Sequence, residues 1–551
     1  MKKKHAAEVN KSPLSFRYLT ELTGIYLFLL FVIYPLYYEK GFSDIGDSKW
    51  HIFRIITYYA ANSLFKIPTF MFFAVIGLIF NIVALVKRKE LKAFFVDKAR
   101  STDLFVLLYG VLTCLTCILT PYRKYFVYGF PTWYMGLLSQ LAFVAVYFFV
   151  AYYWRWNSTS LILYLGATGF VFLTGFLNRF SIDILSIYTG GANEASDYLS
   201  TIGQYTMYSG YVLTIFPLGV FIYWYTSDKR IKIASFAFML IGFLTIITQN
   251  ADSAFLGLIG MYGVLFWFSF DETKRMKAFL EILLTMLISW RVAGFLRKAF
   301  PDRAKGVGKI MTFFSENNLL WIVIAVVAIL YALILISEKK GKIIDISSFK
   351  IIRTVIYILA VAGVIAVVLY IILNTKGLLP DPISFVKDAI AQESYLYFNE
   401  YWGNHRGIAW TTSIKTMICT FTDDPVRFIL GCGPDEFHEM VYKYCAEELN
   451  AIYNEKQLIC SHNEWLCQFV NGGILGGITY LGIFISAFVL GAKNYKKHPE
   501  LIGIMMCIAS YFAHNFFCYQ RITCTPFIFV FIAAGISIIR YDGLISISEN
   551  W

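Results

Sequence analysis

The stretch LLWIVIAVVAILYALILI, residues 319–336, is eighteen consecutive apolar residues with no charge, proline or glycine. At about 1.5 Å per residue, a helix of that length nearly matches the roughly 30 Å hydrocarbon core of a bilayer. A second stretch, 355–373, carries no polar side chain beyond tyrosine hydroxyls. Working outward by the same criterion places further spans near 19–38, 68–86, 104–120, 133–153, 160–177, 210–225, 233–249, 254–270, 278–296, 465–491, 500–516 and 526–540. The expectation is an all-α polytopic membrane protein with about fourteen transmembrane helices. Composition agrees. Of the 551 residues 58% are hydrophobic and 15% charged, against about 45–50% and about 25% in soluble domains. Such hydrophobicity excludes a disordered chain. The net charge of +12 needs no nucleic acid, because an excess of Lys and Arg on the cytoplasmic side accounts for it.

With the Lys2-Lys3-Lys4 end placed in the cytoplasm, the basic clusters 87–100, 274–277, 339–353 and 493–497 fall on the same side, as does Arg540. Both termini are then cytoplasmic. The first apolar run is too long for a signal peptide and lacks a small-residue cleavage site, so it reads as the first span. One segment departs from the pattern. Residues 297–309 put Arg297, Lys298, Arg303, Lys305 and Lys309 outside, so either the topology slips there or those cations have a task.

Two outer loops are long. The first, 178–209, carries Asp183, Glu194, Asp197 and a Gly190-Gly191 turn. The second, 374–461, has 88 residues and is acidic within a basic protein. Loops of that length are commonly functional. Residues 406–421 read as an amphipathic helix with Trp410, Ile414, Met417, Ile418 and Phe421 on one face. Asp423-Asp424-Pro425 ends it. Gly431-Cys432-Gly433-Pro434 makes a tight turn, and Asp435 starts a second helix through Phe437, Val441, Tyr444, Glu448 and Ile452. The loop therefore reads as a mainly helical cap on the outer face. The chain divides into N-terminal spans (1–232), central spans (233–373), the cap (374–464) and C-terminal spans (465–551). Cys419, Cys432, Cys445, Cys460, Cys518 and Cys524 lie in outer segments, where disulfides can form, although spacing does not pair them. Cys114-x-x-Cys117 sits inside a span without a His or carboxylate beside it and reads as packing.

No nucleotide-binding, zinc-protease or serine-hydrolase motif occurs, and no outer Asp-x-Asp pair points to a metal. The chemistry-bearing residues lie where the cap meets the membrane. Ser461-His462-Asn463-Glu464 precedes the span 465–491. Ser461 or Asn463 suits a helix N-cap, and His462 suits a general base. His405-Arg406 reads as a solvated helix start or as a phosphate-binding guanidinium. Asn250-Ala251-Asp252-Ser253 is a helix cap or the polar floor of a cavity at membrane depth. Arg521 is a further outer cation near the membrane surface, and a lone arginine there is more often a lipid-headgroup contact. Gly472, Gly473, Gly476 and Gly477 form small-xxx-small pairs that would let the helix behind His462 pack closely against a neighbour.

Taken in order, Arg406 with Trp410, then Pro425 with Gly431-Cys432-Gly433-Pro434, then His462-Asn463 running into Gly472-Gly473-Ile474-Leu475-Gly476, resemble the O-antigen ligase and polymerase family over about 230–540. The resemblance implies a GT-C-like, inverting, metal-independent glycosyltransferase of the bacterial cytoplasmic membrane, with its active site on the outer face. It implies an undecaprenyl-diphosphate-linked glycan donor, a glycan or lipid-linked acceptor, membrane lipids around the protein and a chain-length regulator as a partner, with no cofactor. His462 corresponds to the family's essential histidine and Arg406 to its loop arginine. Asn463, Trp410, Arg521, Asn250 and Asp252 are the expected substrate-binding residues. The family often has Ser-Arg where this chain reads Gln249-Asn250-Ala251-Asp252-Ser253, so a second cation must come from Arg521 or from 297–309. Two other readings stand beside it: a flippase or transporter for lipid-linked oligosaccharide, and a non-catalytic assembly partner.

Overall fold

The structure is a computed structural model that describes residues 14–38, 49–56, 100–131, 133–155, 158–188, 198–341, 344–380, 395–453 and 457–541. The expected span 68–86, the two termini, and Glu194, Asp197 and Gly190-Gly191 lie outside the described residues. The described chain is α-helical apart from a two-residue antiparallel pairing in which Tyr198 faces Gln204. The helices are α1 (Leu14–Phe28, continued by a π-turn, Leu29–Ile33, and Tyr34–Leu36), α2 (Ser101–Leu119), α3 (Leu137–Tyr153) and α4 (Ser158–Asn178). Then come α5 (Tyr205–Tyr225), α6 (Lys229–Thr248), α7 (Ser253–Ser269), α8 (Thr273–Ala299), α9 (Lys309–Glu316), α10 (Leu319–Lys339) and α11 (Lys350–Thr375). The cap holds α12 (Trp402–Asp423), α13 (Pro425–Leu430) and α14 (Phe437–Tyr453), and the chain returns through α15 (Glu464–Asn494), α16 (Leu501–His514) and α17 (Thr525–Arg540).

Nine helices among the described residues are long and apolar enough to cross a membrane, and α3, α7, α16 and α17 are shorter apolar helices. The protein is a polytopic, mostly helical membrane protein. In lipid the helix is favoured because it satisfies every backbone N–H and C=O within the segment. The core forms where α5, α7, α16 and α17 meet, and α5 is buried along nearly its whole length. In α7, Gly260 makes close packing with α16 obligatory: a Cβ there would lie 2.3 Å from the Ala509 carbonyl oxygen. The bundle's rim is the opposite case. In α11 Asn374 is the one buried residue, and the helix is tied to α7 by Arg353 Nη1 donating to the Trp267 carbonyl (3.0 Å) and by the Tyr357 hydroxyl donating to Gly263.

The expected continuous span 465–491 is a broken one. Gly473 has φ +63° and ψ −168°, a conformation open to glycine alone. The break frees the carbonyls of Val470 and Asn471, which accept from Cys432 N (3.2 Å) and Gly433 N (2.9 Å) of the cap turn. The fit is tight, since a Cβ on Gly431 would lie 2.2 Å from the Asn471 oxygen and one on Gly473 2.4 Å from that of Ile429. Gly473 therefore serves a helix break and backbone docking, not a small-xxx-small seam, and a Cβ on Gly476 would meet nothing within 4 Å.

The cap helices follow the sequence reading in place but not in orientation. Asp424 accepts from Arg427 N (3.2 Å) and so separates α12 from α13. Yet α12 buries Ala409, Thr412, Ser413, Thr416 and Thr420, whereas Ile414, Ile418 and Phe421 are exposed. Asp435 Oδ2 accepts from Phe130 N (2.7 Å) and Met135 N (3.0 Å), and Glu436 Oε1 from Phe126 N (2.8 Å), which clamps the α2–α3 loop to the cap. All ten cysteines are free thiols. Cys117 packs with Leu137 and Leu141.

Candidate functional site

Arg406 owes its position to a left-handed turn. Gly403, Asn404 and His405 have φ of +59°, +58° and +65°, a conformation costing about 1–2 kcal/mol per non-glycine residue. The regular part of α12 thus begins at Arg406, as the hydrophobic spacing predicts. The guanidinium folds back so that Nη1 donates to the Gly403 carbonyl (2.5 Å) and Nε and Nη2 to the Phe517 carbonyl (3.3 and 3.1 Å). These acceptors are dipoles, and among the described residues Arg406 makes no ion pair. Gly407 permits the turn, because a Cβ there would lie 1.8 Å from the Asn399 oxygen.

His462 is itself held in a left-handed conformation, φ +50°. Its neighbours lock it. Ser461 Oγ donates to the Asn463 carbonyl (2.7 Å), and Asn463 Oδ1 accepts from Leu466 N (3.1 Å) as the N-cap of α15. The imidazole meets the Tyr519 ring edge-on at 5.2 Å. Arg521 lies over the other partner surface: its guanidinium is 3.9 Å from the Tyr519 ring and 5.2 Å from that of Trp133, with Nη2 donating to Thr206 Oγ1 (3.4 Å). Asn250 is strained as well, φ +69°, and its Oδ1 accepts from Gly308 N (2.7 Å). Tyr395 donates to Asp252 Oδ2 (3.4 Å).

Arg406, His462, Arg521, Asn250 and Asp252 all line one cavity of about 1030 Å³. Sequence positions more than two hundred residues apart converge there. One wall is polar and cationic. The other is apolar, made by Leu256, Ile259 and Tyr262 of α7, Met286 and Leu287 of α8, and Leu320 and Val323 of α10. Ile259 is 66% exposed and Val323 45%, so this wall runs out to the lipid-facing rim. His462 is partly exposed to the cavity. Burial, then the charges of Arg406 and Arg521, pushes its imidazole down to about 3 and keeps it neutral. Burial raises the Asp252 carboxyl, against the Tyr395 hydrogen bond and the Arg406 charge.

Two expected residues stand apart. Trp410 does not line the cavity and packs on Trp402 and Phe517 at ring distances of 5.2 and 5.4 Å. Asn463 is spent on capping α15. In the basic segment, Arg297 and Lys298 pair with Glu316 at 3.1 and 3.3 Å, and none of its cations lines the cavity. Arg521 is thus the second cavity arginine. The Gly308–Asn250 bond puts this segment at the cavity end of the bundle, so the alternation of ends does not slip there.

A buried network behind the cavity escaped the sequence reading. Ser253 and Cys518 line the cavity. Ser253 Oγ is 3.2 Å and Cys518 Sγ 3.7 Å from His514 Nε2, which also lies 2.9 Å from Ser209 Oγ. His514 Nδ1 meets Asn515 Oδ1 (2.7 Å), and Asn515 Nδ2 donates to Glu464 Oε2 (2.5 Å). Glu464 also accepts from Tyr480 (2.5 Å) and Tyr511 (2.9 Å). Burial works to raise the Cys518 thiol, but His514 and then Arg406 outweigh it and bring it down to about 7. The available signal was ionisable residues at the ends of apolar spans. Among the described residues no three His, Cys, Asp or Glu side chains gather as metal ligands. Comparison with protein families and curated proteins finds no match: no family model matches the chain, and no curated protein matches it in sequence.

Proposed function

We propose that the protein is a membrane glycosyltransferase that transfers or polymerises glycan carried on undecaprenyl diphosphate, in the manner of O-antigen ligases and polymerases, at the outer face of the bacterial cytoplasmic membrane. One observation carries this reading: two arginines and a neutral imidazole share a cavity with an apolar wall that runs to the lipid-facing rim. A lipid-linked diphosphate has the same division, an anionic head on a long apolar tail. The tail lies along α7, α8 and α10, and the head faces Arg406 and Arg521.

In the transfer step the acceptor hydroxyl oxygen attacks the anomeric carbon, the carbon–oxygen bond to the diphosphate breaks, and the electron pair leaves on phosphate oxygen. The hydroxyl proton passes to the His462 imidazole. Arg406 and Arg521 stabilise the charge that develops on the leaving group; preorganised charge in a partly dry site is commonly the largest catalytic contribution. Burial and the two arginines also make His462 a weak base in the free protein. A bound diphosphate offsets their charge, so proton affinity rises when donor is present. Asn250, Asp252 and Tyr395 are placed to hydrogen-bond sugar hydroxyls.

The test is turnover by the purified protein in lipid nanodiscs supplied with undecaprenyl-diphosphate oligosaccharide. Release of undecaprenyl diphosphate with growth of the glycan, lost in His462→Ala and Arg406→Ala, is the expected result. Movement of the intact donor across proteoliposomes without that release would instead identify a flippase.

A further inference from the structure

The helix pair α12–α13 presents an apolar face that the protein does not cover. Ile414, Ile418 and Phe421 are 48%, 64% and 62% exposed, and Val426 and Ile429 of α13 50% and 45%. The spacing of four and three in α12 puts them on one side of that helix. The opposite side, richer in Thr and Ser, is buried where α12 packs on α14 and α15. A helix resting on a protein in water has the reverse arrangement, apolar inward and polar outward.

Depth explains the inversion. The turn after α13 docks on Val470 and Asn471 of α15, six to seven residues beyond that helix's first residue, Glu464. At 1.5 Å per residue this is about 10 Å down the axis of a membrane-crossing helix. There α13 also touches the last turn of α2: Arg427 Nη2 donates to the Leu119 carbonyl (3.1 Å), and Thr116 Oγ1 to that of Leu430 (2.7 Å). At that turn α2 turns Ile118 and Leu119 outward, 69% and 49% exposed. The apolar face of α13 therefore continues the outer surface of helices with the length and composition of membrane spans, and the Phe421–Phe428 ring contact (5.1 Å) carries it onto α12.

We infer that α12–α13 is an interfacial element of the membrane, with Ile414, Ile418, Phe421, Val426 and Ile429 seated among the acyl chains of the leaflet at the cavity end. The occupant is lipid because the face is continuous with the outer surface of α2 and lies at the same depth. Of the charges beside it, Lys415 pairs with Glu448 of α14, Asp423 accepts from Thr422 Oγ1, and Asp424 caps α13. Such helices sink their apolar face about 5–10 Å into the boundary between headgroups and chains. Since Arg406 opens the same helix, this seating fixes the height of the cavity relative to the headgroups. The placement does not depend on the activity proposed above.

The unaltered protein, reconstituted in vesicles of equal parts phosphatidylethanolamine and phosphatidylglycerol doped with a diazirine-bearing acyl-chain phosphatidylglycerol, is irradiated, and the lipid adducts are mapped by mass spectrometry. Adducts on 414–429 in yields comparable to those on α2, with the exposed side of α14 at background, are expected. Adducts confined to the membrane-crossing helices, with 414–429 no higher than α14, would overturn the inference. So would a separate irradiation of protein carrying p-benzoylphenylalanine at position 418 that joins two copies of the chain in place of lipid, because it would show a second copy on this face.

Discussion

Two arginines at opposite ends of the helix bundle, Arg540 and Arg406, are held differently. Away from the cavity, Arg540 meets a charge: Nη2 lies 2.5 Å from Asp103 Oδ2, Nη1 donates to the Ala151 carbonyl (2.6 Å), and the Tyr152 ring lies 3.7 Å beneath. Asp103 is itself engaged twice more, by Tyr147 OH (2.9 Å) and Arg100 N (2.7 Å) at the start of α2. At the cavity end, Arg406 meets the carbonyl dipoles of Gly403 and Phe517. An arginine neutralised by a carboxylate ties helices together. One oriented by carbonyl dipoles keeps a charge that its partners do not neutralise. The neutral, strained His462 beside Arg406 extends the contrast, since backbone strain concentrates where surrounding structure holds a side chain for use.

The contrast can be broken most forcefully at the closed end. Arg540→Ala leaves Asp103 buried without its cation and is expected to cost about 3–5 kcal/mol, read as a lower unfolding midpoint in detergent. Transfer per folded molecule should be unchanged, and Arg540→Met with Asp103→Leu should recover most of the loss. At the cavity end the signs reverse. Arg406→Ala is expected to lower turnover about 10²–10³-fold with the unfolding midpoint little changed, and Arg406→Lys should fall between, because an ammonium lacks the guanidinium fork. A large stability loss in Arg406→Ala with normal turnover by the folded fraction would erase the distinction between the two ends.

Smaller effects sharpen it. Gly473→Ala places a Cβ against the Ile429 carbonyl in a backbone region that costs about 1–3 kcal/mol, so the cap should loosen and proteolysis near 425–433 should accelerate. Gly476→Ala, with nothing in the way, is expected to stabilise by about 0.5–1 kcal/mol through helix propensity. The pH dependence is subtler. With His462 held near 3, the free protein should show no acid limb from this group in kcat/KM around the ordinary histidine value of about 6.5. Arg406→Gln removes one of the cations that depress it, so the limb should move upward in pH. The unfolded chain binds the His462 proton more readily, so this group lowers folded stability as pH falls from about 6.5 toward 3. A limb that stays put in Arg406→Gln would separate the two residues electrostatically.

Much of the fold is legible along the chain. The described spans appear within a few residues of where apolar runs place them, since spanning a bilayer requires length and hydrophobicity, both local properties. The two longer cap helices and the break at Asp423-Asp424-Pro425 are legible because helical spacing and helix breakers are local as well. Five of the seven expected site residues line the cavity. The two that do not line it share a cause. Trp410 and Asn463 have suitable chemistry, but whether a side chain faces a cavity or its own helix end depends on neighbours far away in sequence. Glu464 stood in the quoted His-Asn-Glu run, yet its partners Tyr480, Tyr511 and Asn515 come from later helices.

By itself the amino-acid sequence determined that the chain crosses a membrane many times, where its helices begin and end, and which polar residues are rich enough in chemistry to matter. Only the tertiary structure decided that α15 breaks at Gly473, that α12 turns its apolar face away from the protein, and that Arg406, Arg521 and His462 look into the same space. The reason is physical. Hydrophobic length is a property of a segment, whereas a freed carbonyl, an exposed face or a depressed imidazole is defined by what another segment places beside it.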